Sequence, residues 1–266
     1  MQVRKIKKGF DMAHCSRFSL ADKTILLTGA GGGIGFALLG GLMEAGARVL
    51  AAIRQQDTDW HGLGERFGGR LIPMLCDLAD QQQLSAMIET VEKEYGGCDV
   101  LINNAAYCPR AQTNQYDPIL LRETIRINLE AAYLLCGEIA PRMARRGHGS
   151  IINVTSINAE RGLPGNPAYI TSKGALRMLT KAVARDFGEY GIRANNLCPG
   201  YVHTRMTAAS FNDPALHEER RSHTMLGRWG VPEDMVGPCI FLASDASAYV
   251  TGLDLYVDGG WMAKGM

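Results

Sequence analysis

Short apolar runs alternate with longer amphipathic stretches along most of the chain. The first three apolar runs are Thr24 to Thr28, Arg48 to Ile53 and Arg70 to Cys76. Apolar residues follow helical spacing from Ile34 to Glu44 and again from Gln81 to Tyr95. Strands that are apolar throughout and alternate with helices are typical of a parallel sheet covered on both faces. The pattern predicts a doubly wound α/β fold.

The same alternation continues through the second half of the chain. Apolar runs at Asp99 to Ile102, Ser150 to Val154 and Arg193 to Leu197 predict three further strands. Helical spacing predicts one long helix from about Pro118 to Arg146 and another from about Ala168 to Tyr190. No repeat or low-complexity segment interrupts this order, so we expect a single domain.

Two segments stand outside the alternation. Residues 1–18 carry several basic side chains and no pattern that fits a core, so we expect a disordered extension there, followed by one Rossmann-type domain over 19–266. Residues 204–229 are polar and follow the sixth predicted strand, at the edge where doubly wound folds bind substrate. This second segment is interpreted as a substrate lid.

Composition narrows the possible partners. The formal net charge of +1 gives no electrostatic reason to expect a nucleic acid. The cysteines are odd in number and never arranged as CxxC, so neither a disulfide framework nor a metal site is indicated. No apolar run approaches the ~18 residues that span a membrane, and the N-terminus lacks the apolar core of a secretory signal. We therefore expect a cytoplasmic enzyme with neither a metal nor a membrane partner.

A glycine-rich segment from Thr28 to Gly35 joins the first strand to the first helix. Glycines at such a junction allow a tight turn and let a pyrophosphate approach the backbone N–H groups of the helix N-terminus. The spacing GxxxGxG differs from the GxGxxG of the general dinucleotide fingerprint. A plain loop is the alternative, but the strand–turn–helix context favours phosphate binding.

Tyr169 and Lys173 lie four residues apart within a predicted helix. Side chains at positions i and i+4 stack on one helix face, with Cβ atoms about 5–6 Å apart. A neighbouring ammonium favours the phenolate, so we expect it to lower the pKa of the tyrosine toward the range useful for general acid–base catalysis. An exposed helix face without chemistry is the alternative interpretation.

Taken together, the motifs resemble the short-chain dehydrogenase/reductase family over the range from about Leu20 to Gly260. The closing segment from Val257 to Trp261 also resembles sugar-acid and polyol members such as gluconate 5-dehydrogenases. One departure is Ala106, where the family normally has glycine. The matching positions are Thr28 to Gly35, Asp77, Asn103, Asn104, Ala105, Asn128, Ser156, Tyr169, Lys173, Pro199, Gly200, Thr204, Asp258, Gly259 and Gly260.

The resemblance implies an NAD(P)-dependent oxidoreductase with four catalytic residues. Tyr169 is the implied general acid/base, and Lys173 lowers its pKa and binds the cofactor ribose. Ser156 orients the reacting carbonyl, and Asn128 anchors a water that relays protons. Each residue also has a structural interpretation, since Ser156 could simply end a strand and Asn128 could bond backbone.

The resemblance also implies where the nicotinamide cofactor binds. Asp77 would accept from adenine, with a helix N-cap as its alternative role, and the segment around Asn104 would line the trench unless it is only a turn. Tyr169 and Lys173 belong to this set as well. The other implied cofactor-binding residues are Thr28, Gly29, Gly33, Ile34, Gly35, Arg54, Leu78, Ala105, Pro199, Gly200, Val202 and Thr204.

Cofactor preference depends on the end of the second strand. An acidic residue there would bond the ribose 2′-OH, whereas a nearby arginine accommodates a 2′-phosphate. The acidic position holds Ile53 and Arg54 follows, so we predict a preference for NADP(H), with NAD(H) possible. Gly32 stands where many NADP-linked relatives have a basic residue, and Arg54 could be merely a solvated arginine.

Polar side chains around the implied site favour a small polar alcohol or ketone, such as a sugar acid, sugar or polyol. Asn158, Arg161 and Asn166 are the candidate substrate contacts, with His203 and Arg205 nearby. Arg161 could clamp a carboxylate, or it could pair with Glu160 or solvent. The alternatives are a 3-oxoacyl thioester reductase and, in a different class, a catalytically silent cofactor-binding sensor.

The two long predicted helices resemble those through which relatives associate. Small and apolar residues on them, such as Ala131, Ala132, Ala175 and Leu179, would suit close packing between subunits. The resemblance therefore implies a homotetramer. Packing in the core of one subunit is the competing explanation for the same residues.

Overall fold

The computed structural model describes residues 17–54, 60–109, 116–162 and 164–264. The predicted N-terminal extension lies outside the described residues, apart from its last two, Arg17 and Phe18. Both are exposed.

The described residues form a parallel seven-stranded sheet in the order β3-β2-β1-β4-β5-β6-β7. All five residues of the first strand are buried, as expected for a strand covered on both faces. The predicted doubly wound α/β fold is confirmed. The strands are β1 (Thr24–Thr28), β2 (Arg48–Ile53), β3 (Leu71–Leu75), β4 (Val100–Asn103), β5 (Gly149–Val154), β6 (Ile192–Pro199) and β7 (Asp254–Val257).

Helices cover both faces of the sheet. One apolar core cluster lies between the sheet and α1 and α9, and a second lies under α3, α5 and α6. No helix among the described residues is long and apolar enough to span a bilayer. The α-helices of these residues are α1 (Gly33–Glu44), α2 (Trp60–Arg66), α3 (Gln81–Tyr95), α4 (Pro118–Ile125), α5 (Ala131–Arg146), α6 (Pro167–Phe187), α7 (Ala208–Phe211), α8 (Pro214–His223) and α9 (Val236–Ala243).

Helix α3 has the predicted bounds because both of its ends are capped. The Asp80 side chain accepts hydrogen bonds from the backbone N–H groups of Gln82 at 2.8 Å and Gln83 at 3.2 Å. Gly96 ends the helix in the left-handed conformation, with φ at 72°. An acidic N-cap and a glycine at the C-terminus are the strongest boundary signals a sequence carries.

The predicted long helix from Pro118 to Arg146 is divided in the structure. Helix α4 leads into a π-helical turn over Arg126–Glu130, and α5 follows directly. A π-turn inserts one extra residue into a helix and often marks a functional site. Here it contains Asn128, whose side chain is 1% exposed.

The predicted lid is more ordered than its polar composition indicates. Residues 204–229 contain the short helices α7 and α8. Helix α8 begins at Pro214 because the preceding Asp213 caps it, accepting from the N–H groups of Ala215 at 2.9 Å and Leu216 at 3.0 Å. The segment is therefore partly helical, and its role as a substrate lid stays a prediction.

Candidate active site

The candidate site lies where the strand order reverses, between β1 and β4, at the carboxyl ends of the strands. This edge is where doubly wound folds bind their ligands. The Thr28 hydroxyl accepts hydrogen bonds from the backbone N–H groups of Asn104 at 3.0 Å and Ala105 at 3.2 Å. The Asn104 side chain donates to the carbonyls of Thr28 at 3.0 Å and Gly29 at 3.1 Å. These bonds join the glycine-rich loop to the end of β4.

Two glycines of this loop are required by its geometry. Gly29 has φ at 67°, and a Cβ atom there would lie 2.7 Å from the Cα atom of Ala105. Gly33 has φ at 52°, and a Cβ atom there would lie 3.4 Å from the Thr204 side chain. Positive φ and close backbone approach both favour glycine. The predicted cofactor residues of β1, β4 and the segment after β6 therefore meet at this loop.

The N-terminus of α1 fits a cofactor diphosphate. The N-cap residue Gly32 provides no side-chain hydrogen bond, and the first turn contains no acidic residue. A Cβ atom on Gly32 would meet nothing within 4 Å, so the backbone is open to an incoming group. Uncapped N–H groups together with the positive end of the helix dipole favour an anion at this place.

The three predicted residues Ser156, Tyr169 and Lys173 come together beside this loop. Ser156 follows the end of β5 and is 7% exposed. Its hydroxyl lies near the Tyr169 side chain, which is in the first turn of α6, and acts to lower the pKa of that phenol. The Lys173 Nζ atom lies 5.8 Å from the centre of the Tyr169 ring and donates to the Val154 carbonyl at 2.7 Å. The predicted pairing of Tyr169 and Lys173 on one helix face is thus present.

Burial dominates the electrostatics of this pair in the protein alone. Burial raises the pKa of the Tyr169 phenol above its ordinary value, with Cys108 acting in the same direction and the Ser156 hydrogen bond opposing it. Burial also lowers the pKa of Lys173 to about 8. The net shift of the Tyr169 pKa is therefore upward, opposite to the shift expected from the Lys173 charge, and the ammonium is bonded to the Val154 carbonyl.

Asn128 holds the loop that follows β4 against α6. Its side chain accepts from the Tyr107 N–H at 2.6 Å and donates to the Tyr107 carbonyl at 2.9 Å. It also lies 3.0 Å from the hydroxyl of Ser172, the residue before Lys173. The Asn128 side chain is thus occupied with backbone and serine partners, as its structural interpretation expects.

The remaining predicted cofactor residues line the same edge of the sheet. Asp77 follows β3, is exposed, and accepts from the Ala79 N–H at 3.0 Å in a local turn. Asp80 is the N-cap of α3, so the alternative role for Asp77 as a helix cap is wrong. Arg54 is exposed directly after β2. Gly33 and Ile34 are the first two residues of α1, and Gly35 packs against Gly29. Leu78 is half-buried, Pro199 is the last residue of β6 and Gly200 follows it, and Val202 is 3% exposed.

The predicted substrate contacts lie in the segment between Ser156 and the start of α6. The Asn158 N–H donates to the Ser156 hydroxyl at 3.1 Å, and Asn166 directly precedes α6. Arg161 is exposed and forms no ion pair with any described residue. Glu160, its suggested alternative partner, instead accepts from the Tyr256 hydroxyl and lies 3.5 Å from Arg177.

Cys108 is a site residue that the sequence reading did not single out. Its thiol lies 3.8 Å from the Asn166 amide and close enough to Tyr169 and Lys173 to affect the pKa values of both. The sequence could have indicated it, because Cys108 lies four residues after Asn104 in the same segment that was expected to line the cofactor trench.

An aromatic cluster that joins the lid to the C-terminal segment was also not predicted from the sequence. Tyr201 packs edge-on against Trp229 and Trp261, with ring centres 5.6 and 4.7 Å away. The Arg220 guanidinium lies 4.5 Å above the Tyr201 ring. These contacts attach α8 to the end of β6 and to the C-terminal segment.

Comparisons with known proteins agree with this geometry. The profile of the family described as enoyl-(acyl carrier protein) reductase matches residues 29–262. The 2-dehydro-3-deoxy-D-gluconate 5-dehydrogenase of Pseudoalteromonas atlantica is 35% identical, and the match covers 93% of this chain and 99% of that protein. The gluconate 5-dehydrogenase of Gluconobacter oxydans is also 35% identical, with 94% and 98% covered.

A solved structure extends the comparison. The gluconate 5-dehydrogenase of Burkholderia cenocepacia J2315, in complex with NADP and tartrate, is 38% identical to this chain and has a TM-score of 0.88. The superposition covers 93% of this chain and 98% of that one. Because these matches span nearly the whole sequence, the chain belongs to the short-chain dehydrogenase/reductase family of NAD(P)-dependent oxidoreductases.

Proposed function

We propose that this protein transfers hydride between a nicotinamide cofactor and a secondary alcohol or ketone of a sugar acid, with sugars and polyols as related substrates. The observation that carries the proposal is the cluster of Ser156, Tyr169 and Lys173 beside a glycine-rich loop that fits a diphosphate. Relatives named for gluconate and dehydrodeoxygluconate dehydrogenation support the sugar-acid class.

Tyr169 moves the proton in this mechanism. Its hydroxyl gives a proton to the substrate oxygen during ketone reduction and takes one during alcohol oxidation. The bound cofactor supplies or accepts the hydride. Ser156, whose hydroxyl lies near Tyr169, donates to the same substrate oxygen and stabilises the charge that develops there. The two hydroxyl groups thus converge on one reacting atom.

Lys173 adjusts the acidity of Tyr169. Its pKa of about 8 leaves the ammonium largely protonated at neutral pH. When a cofactor ribose enters the trench, Lys173 can donate to a ribose hydroxyl while its charge favours the phenolate. The role of Asn128 in this proposal is to hold the Tyr107 segment and Ser172 in place and to bind a relay water next to Lys173.

NADP(H) is the proposed cofactor, and NAD(H) is a secondary one. Arg54 follows β2, is exposed, and forms no ion pair with any described residue, so its guanidinium is available to a 2′-phosphate. The absence of a carboxylate at Ile53 removes the repulsion that an acidic residue would impose on that phosphate. The Burkholderia relative, whose structure contains NADP, supports this preference.

Arg161 is the proposed partner of the substrate carboxylate. It lies five residues after Ser156 and is exposed, while its neighbour Glu160 is engaged by Tyr256 and Arg177. A guanidinium recognises a carboxylate through two parallel hydrogen bonds. Asn158 and Asn166 would bond substrate hydroxyl groups on either side.

The two alternative functions have less support. A 3-oxoacyl thioester reductase would bind a long apolar substrate, whereas Asn158, Arg161 and Asn166 border this site. A silent cofactor-binding sensor has no need of a phenol placed beside a serine hydroxyl and a buried lysine. The intact Ser156–Tyr169–Lys173 cluster therefore favours turnover.

A homotetramer is the proposed assembly. Tyr133 on α5 and Met178 on α6 are 61% and 58% exposed, so both long helices present apolar side chains outside the core. Ala131 and Ala132 are buried within the subunit, so core packing explains those two residues. Light scattering after size-exclusion chromatography should give about four times the mass of one chain.

A cytoplasmic location is proposed from the cysteines. No disulfide joins the cysteines of the described residues, and Cys98, Cys136 and Cys239 are buried. Burial raises the pKa of each of these three thiols, which makes them unreactive. Fractionation of the native cell should recover the protein with cytoplasmic enzymes.

The direct test is the initial rate of nicotinamide reduction with aldonic acids, polyols and hydroxyacyl thioesters, each with NADP⁺ and NAD⁺. Oxidation of an aldonic acid with preference for NADP⁺ is the expected result. Activity with thioesters alone would overturn the sugar-acid proposal, and preference for NAD⁺ would show that Arg54 does not hold a phosphate.

A further inference from the structure

A chain of polar side chains crosses four neighbouring strands beneath α6. Asn103, Asn153, Asn196 and Asp254 are register partners on β4, β5, β6 and β7. Asn103 donates to Asn153 Oδ1 at 2.8 Å, and Asn196 donates to Asp254 Oδ1 at 2.7 Å. Thr180 of α6 joins the two halves, accepting from Asn153 at 2.7 Å and donating to Asn196 Oδ1 at 2.6 Å. We call these five residues the polar ladder.

The hydrogen bonds between members of the polar ladder all run toward Asp254. The Thr180 hydroxyl has a second acceptor in the Leu176 carbonyl at 3.1 Å, but its contact with Asn196 Oδ1 is shorter, at 2.6 Å. The Asp254 carboxylate can only accept, so the Asn196 amide must turn its NH₂ group toward it and its oxygen toward Thr180. Thr180 must then donate to Asn196 and accept from the Asn153 amide. The Asn153 oxygen in turn accepts from Asn103. Hydrogen bonds aligned in one direction strengthen one another in a low-dielectric interior.

The polar ladder is buried along most of its length. Asn153, Thr180 and Asn196 are fully buried, and Asn103 is 4% exposed. A buried polar group that loses its partner is costly, so each member holds its neighbours in one arrangement. The Asn103 oxygen at the far end has no hydrogen-bond partner among the described residues.

Two basic side chains of α6 hold the Asp254 end of the polar ladder through ion pairs. Arg177 binds Asp254 through Nε and Nη2, both at 2.8 Å, and Lys181 lies 3.4 Å away. Partial burial opposes ionisation, but hydrogen bonds from Asn196 and Arg177 keep the pKa of Asp254 below its ordinary value. The ladder therefore ends on a carboxylate held by the same helix that contributes Thr180.

The polar ladder fastens α6 within two turns of its catalytic residues. Arg177 and Thr180 lie four and seven positions after Lys173, which places them on or near the face that carries Tyr169 and Lys173. Asn196 also lies 3.3 Å from the backbone carbonyl of Arg177. The contacts reach β5, β6 and β7 from one stretch of helix, so they limit both sliding and rotation of α6 over the sheet.

We propose that the polar ladder positions α6, so that Thr180 and Asp254 act as positioning residues for Tyr169 and Lys173. This inference rests on the proposed oxidoreductase function. None of the ladder's hydrogen bonds reaches Ser156, Tyr169 or Lys173, so its effect passes through the placement of the helix. A misplacement of about 1 Å at a reacting group can cost roughly 100-fold in rate.

Thr180→Val and Thr180→Ser form the matched pair of variants for the test. Valine keeps the volume but leaves Asn153 without an acceptor and Asn196 without a donor, whereas serine keeps the hydroxyl. Both variants are assayed well below their unfolding temperatures with any secondary alcohol that the wild-type protein oxidises. Failure of the sugar-acid proposal thus leaves the comparison intact.

The expected result for Thr180→Val is a kcat about tenfold or more below that of Thr180→Ser. Substrate KM and NADPH affinity should agree between the two variants within about twofold, because the binding groups remain. A purely structural role would lower the melting temperature of Thr180→Val and leave kcat equal to that of Thr180→Ser. That outcome would overturn the proposal.

A second pair covers the case in which Thr180→Val does not fold. Asp254→Asn removes the charge that orients the polar ladder, and Lys181→Gln removes only a half-exposed ion-pair partner of the same carboxylate. Reduced kcat in Asp254→Asn with unchanged kcat in Lys181→Gln supports the positioning role. Equal kcat in both variants contradicts it.

Discussion

The Lys173 ammonium donates a hydrogen bond to the Val154 carbonyl at 2.7 Å, joining α6 to the end of β5 two residues before Ser156. The lysine is 1% exposed, and no described carboxylate lies within ion-pair distance of it. Burying a cation against a carbonyl, without a counter-charge, destabilises the folded protein. Burial accordingly lowers the pKa of Lys173 to about 8. The same bond places the cation beside Tyr169.

The first prediction concerns stability against pH without cofactor. The pKa of Lys173 is lower in the folded protein than in the unfolded chain, so the unfolded chain binds more protons between pH 8 and about 10.5. The free energy of unfolding should therefore gain a contribution as pH rises through that window. Lys173→Met lacks this contribution. Relative to that variant, the free energy of unfolding of the wild type should therefore rise by about 2 kcal/mol from pH 7 to about 9.5.

Urea unfolding at the two pH values measures this effect. Lys93→Met is the control for removing a lysine charge at an exposed position, because the Lys93 side chain is 75% exposed. A pH-independent difference for Lys173→Met would mean that burial does not lower the lysine's pKa.

The second prediction concerns the cofactor. Arg54→Gln should raise KM for NADP⁺ about 10- to 100-fold, since a charge-assisted hydrogen bond to the 2′-phosphate is lost. KM for NAD⁺ should stay the same. Arg48→Gln, which replaces the exposed arginine at the start of β2, should change neither value. Equal effects of Arg54→Gln on both cofactors would remove Arg54 from the phosphate site.

The third prediction concerns the substrate carboxylate. Arg161→Gln should raise KM for an aldonic acid about tenfold or more and leave KM for the matching polyol unchanged, because only the acid has a group for the guanidinium to clamp. Steady-state kinetics of wild type and variant with each substrate give the change in KM for the acid and for the polyol. Arg145→Gln on α5 is the control, and parallel changes for acid and polyol would argue against a clamp.

Much of the fold follows from local sequence patterns, and the exceptions have physical reasons. The buried strands β1, β2 and β5 are apolar runs with clear ends, and α3 is capped at both ends. Strand β7 was not predicted because it is a short edge strand, half-buried and beginning with Asp254. Helix α2 was missed because Gly62 and Gly64 weaken its helical pattern.

The site was predictable to the extent that its residues form motifs. Ser156, Tyr169 and Lys173 were predicted by spacing and resemblance, and the structure brings them together. The direction of the pKa shift of Tyr169 was not predictable, because it depends on burial in the folded protein. The polar ladder was not predictable either, since its members come from distant positions and meet only through strand register.

The most direct test of the central claim compares Tyr169→Phe with the wild-type protein for oxidation of an aldonic acid and for NADPH binding. Phenylalanine keeps the ring and removes the group that carries the proton, so kcat should fall about 10²- to 10⁴-fold while NADPH affinity stays within a few fold. Wild-type turnover in Tyr169→Phe would contradict the account, because Tyr169 would then not be the general acid/base.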